Sequence, residues 1–264
     1  CVNRNLVMLP KMIKNYFLYF VFSLVSAELI AEEYNINFVP SSTNPLQQGF
    51  LRFTNPNLDS VSVSIVGVDD SGSVGQTSLS FTLDSLASKQ LNSDDIEFGN
   101  ASKGLLGFLG VGSENWRLKV TTTGELGVSS YLRTTEGFMT KIGDLVANTN
   151  QTSHIVPIFN PASNVNQVSI LRVTNLSNSL NDVSIIGIDD NGDISSTASI
   201  TLAANKSIML TAQDIENGTQ GLSNGIGNGA GKWQLFVTTS EVAAIMSLLQ
   251  APGGYISNLS RPGS

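Results

Sequence analysis

The chain has 264 residues, 13% of them charged and 41% hydrophobic, with 24 Gly against 8 Pro. That length suggests two units of ordinary domain size, and the composition is too apolar and too lightly charged for disorder. A formal net charge of −7, with no Lys/Arg cluster after the first few residues, excludes the nucleic-acid backbone as a partner.

The N-terminal stretch reads as a targeting segment. Met12 and Lys14 precede an apolar run over 16–25, and Val25-Ser26-Ala27 offers a small-residue cleavage site before Glu28, so a signal peptide is expected over about 12–27. The run is too short to cross a bilayer, which takes about 20 apolar residues in a helix. The expectation is a secreted, periplasmic or cell-surface protein with no membrane span in its mature chain. Cys1 is the only cysteine; with translation starting at Met12 it is absent from the mature protein, which then has no disulfide, no thiolate metal site and no cysteine nucleophile. An exported chain without disulfides fits a bacterial envelope or extracellular setting. Asn100-Ala101-Ser102, Asn150-Gln151-Thr152 and Asn217-Gly218-Thr219 read as Asn/Ser/Thr-rich turns rather than as glycosylation acceptors.

After a polar lead-in, residues 34–39 alternate with the period of two that marks a half-buried strand. The same pattern returns at 154–159. Next comes Leu51-Arg52-Phe53-Thr54-Asn55, followed by Gly67-Val68-Asp69-Asp70-Ser71-Gly72. Both return 120 positions on (52 to 172, 69 to 189) as Leu171-Arg172-Val173-Thr174-Asn175 and Gly187-Ile188-Asp189-Asp190-Asn191-Gly192. A period this long is duplication of a whole domain, since solenoid units run about 20–50 residues. The boundaries follow: 1–33 leader and lead-in, 34–153 first repeat, 154–264 second repeat, with an Asn/Thr/Gln-rich link over 147–153.

Further along each copy, Val61, Val63 and Ile65 alternate, as do Val183 and Ile185; Leu79, Phe81 and Leu83 form another strand. Asp94-Asp95-Ile96-Glu97 and Asp214-Ile215-Glu216 look like single helical turns with acidic starts. A glycine-rich loop then leads into Trp116-Arg117-Leu118-Lys119-Val120 or Trp233-Gln234-Leu235-Phe236-Val237. Two more strands close each copy. Eight or nine short strands per repeat and almost no helix predict an antiparallel sandwich.

The acidic turns admit two readings. Asp69, Asp70, Asp189, Asp190 and Asp193 suit hairpin turns, in which Asp bonds its own backbone and Gly takes a positive φ. The same carboxylates are candidate calcium ligands, the only cofactor the sequence suggests, with Asp95, Glu97, Asp214 and Glu216 as further oxygen donors if the fold gathers them. The spacing is not that of an EF-hand, and one hairpin tip supplies too few of the six to eight oxygens calcium takes. Gly231-Lys232 is not a phosphate loop, because Trp233 stands where Ser or Thr is needed and a strand follows. Trp116 and Trp233 share strand phase with Leu118/Val120 and Leu235/Val237, which assigns them to the core. Phe108 and Tyr255, with Phe138, are the candidate ligand-contacting aromatics. Arg52 and Arg172 point away from the core-facing Leu51/Phe53 and Leu171/Val173, and are expected exposed or paired across the sheet; their recurrence also permits a buried structural ion pair without demanding one. His154 is the single histidine and takes the place of Tyr34, so neither a Ser-His-Asp triad nor a histidine metal centre is indicated.

The combined pattern, L-R-F/V-T-N, G-V/I-D-D-x-G, D-I-E, a glycine loop into W-R/Q-L, and a closing G-F/Y-x-T/S, resembles duplicated sandwich repeats of exported bacterial proteins. The resemblance covers residues 34–260 and implies two tandem immunoglobulin-like modules that bind or act as spacers; it brings no catalytic residues. The expectation is a non-catalytic protein for adhesion, display or scaffolding, meeting a protein or glycan surface. The alternatives are carbohydrate binding by loops at one sandwich end and, less favoured, a glycosidase working through two carboxylates.

Overall fold

The computed structural model describes residues 32–144 and 151–260. The signal peptide expected over 12–27 and most of the link lie outside them. The described residues form sixteen strands in four antiparallel sheets of four.

The first half runs β1 (Glu32–Pro40), β2 (Gln47–Thr54), β3 (Val61–Asp69), β4 (Leu79–Leu83), β5 (Ser88–Asn92), α1 (Ser93–Phe98), β6 (Asn115–Thr122), β7 (Gly127–Thr134) and β8 (Met139–Asp144). The second runs β9 (Ser153–Phe159), β10 (Val168–Asn175), β11 (Asn181–Ile188), β12 (Ala198–Leu202), β13 (Ser207–Thr211), α2 (Ala212–Asn217), β14 (Trp233–Thr239), β15 (Ala243–Gln250) and β16 (Ile256–Asn258). Sheet order is β1-β6-β3-β4 and β5-β2-β7-β8 in the first half, β9-β14-β11-β12 and β13-β10-β15-β16 in the second. The two orders are the same strand for strand, as duplication requires. They are not the order of an immunoglobulin constant domain, where the first, second, fourth and fifth strands share a sheet. Here the first strand pairs with the sixth and the seventh with the second.

Alternation puts one side chain of each pair inward. Leu51, Phe53, Ile65, Leu79, Leu118 and Val120 form a core made only from the first half, and Leu171, Val173, Ile185, Leu210, Leu235 and Val237 form its counterpart in the second. Each such side chain stabilises its half by about 1.5–3 kcal/mol when fully buried. A third cluster draws on both: Phe38, Leu132 and Ile142 meet Ile170, Met246, Leu248 and Ile256.

The helices are one turn and a half, too short to persist alone. Each is fixed by a capping box: Asn92 accepts from the Asp95 N–H while the Asp95 carboxylate accepts from the Asn92 N–H, and Thr211 with Asp214 does the same. Among the described residues no helix is long and apolar enough to cross a membrane.

Candidate functional site

The acidic hairpin tips are closed on themselves. Asp69 Oδ1 accepts from the Ser71 and Ser73 N–H groups, both at 3.0 Å, and its Oδ2 accepts from the Ser113 N–H at 3.0 Å. In the second half Asp189 accepts from Asn191, Asp193 and Ala230, and these backbone N–H groups, Ala230 foremost, hold its pKa below the usual carboxylate range. Asp193 lies exposed on the same turn. Among the described residues no group of three or more His, Cys, Asp or Glu side chains comes together as a metal site.

The remaining acidic candidates are also engaged. Glu97 has no exposed surface; its Oε1 accepts from Trp116 Nε1 at 2.6 Å and from the Gly112 N–H at 3.2 Å, and its Oε2 from the Ser42 N–H at 3.1 Å. Glu216 accepts from Trp233 Nε1 at 2.8 Å and from the Ala162 N–H at 3.1 Å. Both tryptophans are therefore buried, as their strand phase indicated, with the indole N–H satisfied by a helix carboxylate. Burial pushes the Asp95 carboxyl up, but hydrogen bonds from Lys103, the Asn92 backbone and Asn100 outweigh it and leave its pKa lowered. Asp214 follows the same course with Thr211 and Thr219 as donors.

The glycine loops lie over the indoles. A Cβ on Gly112 would fall 2.4 Å from the Trp116 ring and one on Gly229 2.5 Å from the Trp233 ring. The glycines are there because the backbone passes too close to an aromatic face for a side chain.

Asp70 takes a role that sequence reasoning did not find. Arg172, on β10 of the second half, has no exposed surface and donates through both terminal nitrogens to the two oxygens of Asp70 in the first half, Nη1 to Oδ2 at 3.0 Å. Its Nε donates to the Asn37 carbonyl at 3.1 Å, and its guanidinium lies 5.3 Å from the Phe38 ring centre. Asn115 Nδ2 adds a bond to Asp70 Oδ2 at 2.8 Å, and the Ser207 N–H one to the Asp70 carbonyl at 3.1 Å. Arg172 thus forms the buried ion pair that the recurrence permitted, in place of the exposed or in-sheet position expected first; Arg52, its equivalent, is exposed as expected. A signal was present in the sequence. The outward positions beside Arg172 are Ile170, Met246 and Leu248, whereas those beside Arg52 are Phe50, Ser129 and Tyr131.

Two grooves flank this seam. One, of about 410 Å³, runs between the halves and is lined by Glu33, Val68, Arg117, Lys119, Asn205 and Val242. In it Arg117 donates to Asn205 Oδ1 at 3.1 Å while its Nε has no partner; burial and then the Arg172 charge push its pKa down. The other, of about 440 Å³, lies in the first half among Asn44, Gln47, Gln48, Arg133 and Thr135.

Of the proposed ligand aromatics, Phe108 and Tyr255 belong to different halves of the chain. Phe108 is partly exposed in the first glycine loop, where its N–H donates to Thr77 Oγ1 at 3.0 Å. Tyr255 sits at the seam, its phenol pKa held down by Ser257 and by Thr140 of the other half. His154 is buried, with the Gln151 backbone beside its ring. Compared with known proteins, the chain matches no family model and no curated protein sequence.

Proposed function

We propose that the chain is an exported, non-catalytic protein of the bacterial cell surface or envelope, in which two β-sandwich modules serve adhesion, display or scaffolding. The observation that carries this reading is the seam. A buried, bidentate Asp70–Arg172 pair and a shared apolar cluster join the halves, and a stiff two-module body suits presentation of a surface at a distance. The recurring carboxylates Asp69/Asp189, Asp95/Asp214 and Glu97/Glu216 are spent on turns, caps and indoles, which also favours a structural use.

The test is cellular. Antibody labelling and protease shaving of intact cells find the protein outside, and deletion of its coding sequence lowers attachment or releases a surface partner. Recovery only from the cytosol, with attachment unchanged, overturns the reading.

A glycan-binding role is favoured by one feature, the groove of about 440 Å³ lined by amides, hydroxyls and Arg133, with Phe138 exposed beside it. On a glycan array this reading expects binding that is lost with Arg133→Ala; silence across the array removes it.

A further inference from the structure

The seam uses one face from each half, and duplication leaves a second example of each face unused. The acceptor face is the outer side of the sheet β1-β6-β3-β4, with Asp70, the Asn37 carbonyl and Phe38 around the guanidinium. Its duplicate on the second half, 120 positions on, has Asp190, Pro157 and Ile158. The donor face is the outer side of β13-β10-β15-β16, and its duplicate on the first half carries Arg52. Asp190 and Arg52 are both exposed. The carboxylate is already oriented, since Asp190 Oδ2 accepts from the Lys232 N–H at 2.8 Å.

The hairpin tips tell the same story. A Cβ on Gly72 would lie 2.9 Å from the Ala204 carbonyl across the seam, whereas one on Gly192 meets nothing within 4 Å. The uncovered acceptor face is also apolar. Ile155, Phe236 and Ile186 stand side by side across β9, β14 and β11, and Ile155 and Ile158 are 47% and 50% exposed. The matching row of the first half is Asn35, Lys119 and Val66. An apolar row left in solvent on a sheet whose equivalent is an interface marks an association surface.

We propose that this face receives a second copy of the chain, which sets its Arg52 on Asp190 as Arg172 sits on Asp70, so that copies add head to tail. The contact joins two different faces, and such heterologous contacts propagate into rings or filaments. Charge complementarity and continuity with the existing seam select this occupant over a face-to-face dimer, which would bring Asp190 near its own copy. The inference stands apart from export or adhesion, because its test reads self-association alone.

Sedimentation velocity from about 10 µM to about 1 mM, a range that reads weak to moderate affinities, should show mass rising with concentration and falling with added salt. Asp190→Arg alone and Arg52→Asp alone should each weaken association at least tenfold with unchanged melting temperature. Mixing the two variants should restore it, because the intact Asp190 face of one meets the intact Arg52 face of the other. The double variant D190R/R52D should associate by the swapped pair. A wild-type chain that stays monomeric throughout, an Arg52→Asp variant that associates as tightly as wild type, or a mixture that stays monomeric overturns the proposal.

Discussion

Glu97 shows how much one side chain can carry. It is a fully buried side chain whose carboxyl oxygens are met by hydrogen-bond donors: an indole, two backbone N–H groups and the Ser42 hydroxyl. Glu97→Ala leaves the indole and the Gly112 N–H without an acceptor. At roughly 1–3 kcal/mol for each buried unsatisfied group, urea unfolding should show a loss of about 2–6 kcal/mol, and Glu97→Gln, which keeps one oxygen, should lose less. A loss under about 0.5 kcal/mol, the range of ordinary surface changes, would refute the role given to this carboxylate. His154 is the other residue with a readable consequence. Burial lowers its pKa from 6.5, with the Gln151 backbone opposing. The unfolded chain therefore takes up the proton first as pH falls. Stability is full above about 6.5 and declines as pH drops from there toward the folded value, by up to about 1.4 kcal/mol per pH unit. Asp95, Asp189 and Asp214 are held low, so they do not titrate in that window. The melting temperature should drop between pH 7.5 and 5.5 in wild type and change much less in His154→Tyr, which installs the residue found at the equivalent position of the first half.

Strands were the legible elements, because a two-residue period is written locally: Val61-Ser62-Val63-Ser64-Ile65 alternates in sequence and in burial. The short helices were legible too, since the N-cap and the acidic N3 residue lie within four positions of each other. The glycine loops were not. Their shape is set in part by contacts with partners far away in the chain, Gly107 closing on the Ser78 carbonyl and Gly110 on the Gln76 side chain, and composition alone does not distinguish a loop packed in this way from a loose one. The acidic hairpins fall between. The Asp-Gly turn was readable, but the donors that occupy Asp69 and Asp189 come from Ser113 and Ala230, more than 40 residues away. With those oxygens engaged by N–H groups, adding millimolar calcium should leave the melting temperature where it was. A rise of several degrees would mean that the cation binds the folded state and that the turns rearrange around it.

At the scale of the molecule, the first question is what duplication did with two equal arginines. Arg52 and Arg172 occupy the same register on β2 and β10, yet one is in solvent and the other fully buried. Local pattern is blind to this, because only the position of the second half decides which outer face is covered. The physical cost of the choice is high: a guanidinium and a carboxylate leave water together, and removing one strands the other, at about 3–5 kcal/mol. The pair also holds the seam in register, since Arg172 reaches Asp70, the Asn37 carbonyl and the Phe38 ring at once. Each half keeps its own core of Leu, Val and Ile side chains, so losing the seam need not unfold either. Arg172→Ala should therefore turn one cooperative calorimetric transition into two, as the halves melt independently. At a concentration where the wild-type chain is monomeric, Arg52→Ala should leave the trace within about 0.5 kcal/mol of wild type, as a surface change does. A single transition in Arg172→Ala with stability preserved would mean that the apolar cluster of Phe38, Ile170, Met246 and Leu248 joins the halves unaided.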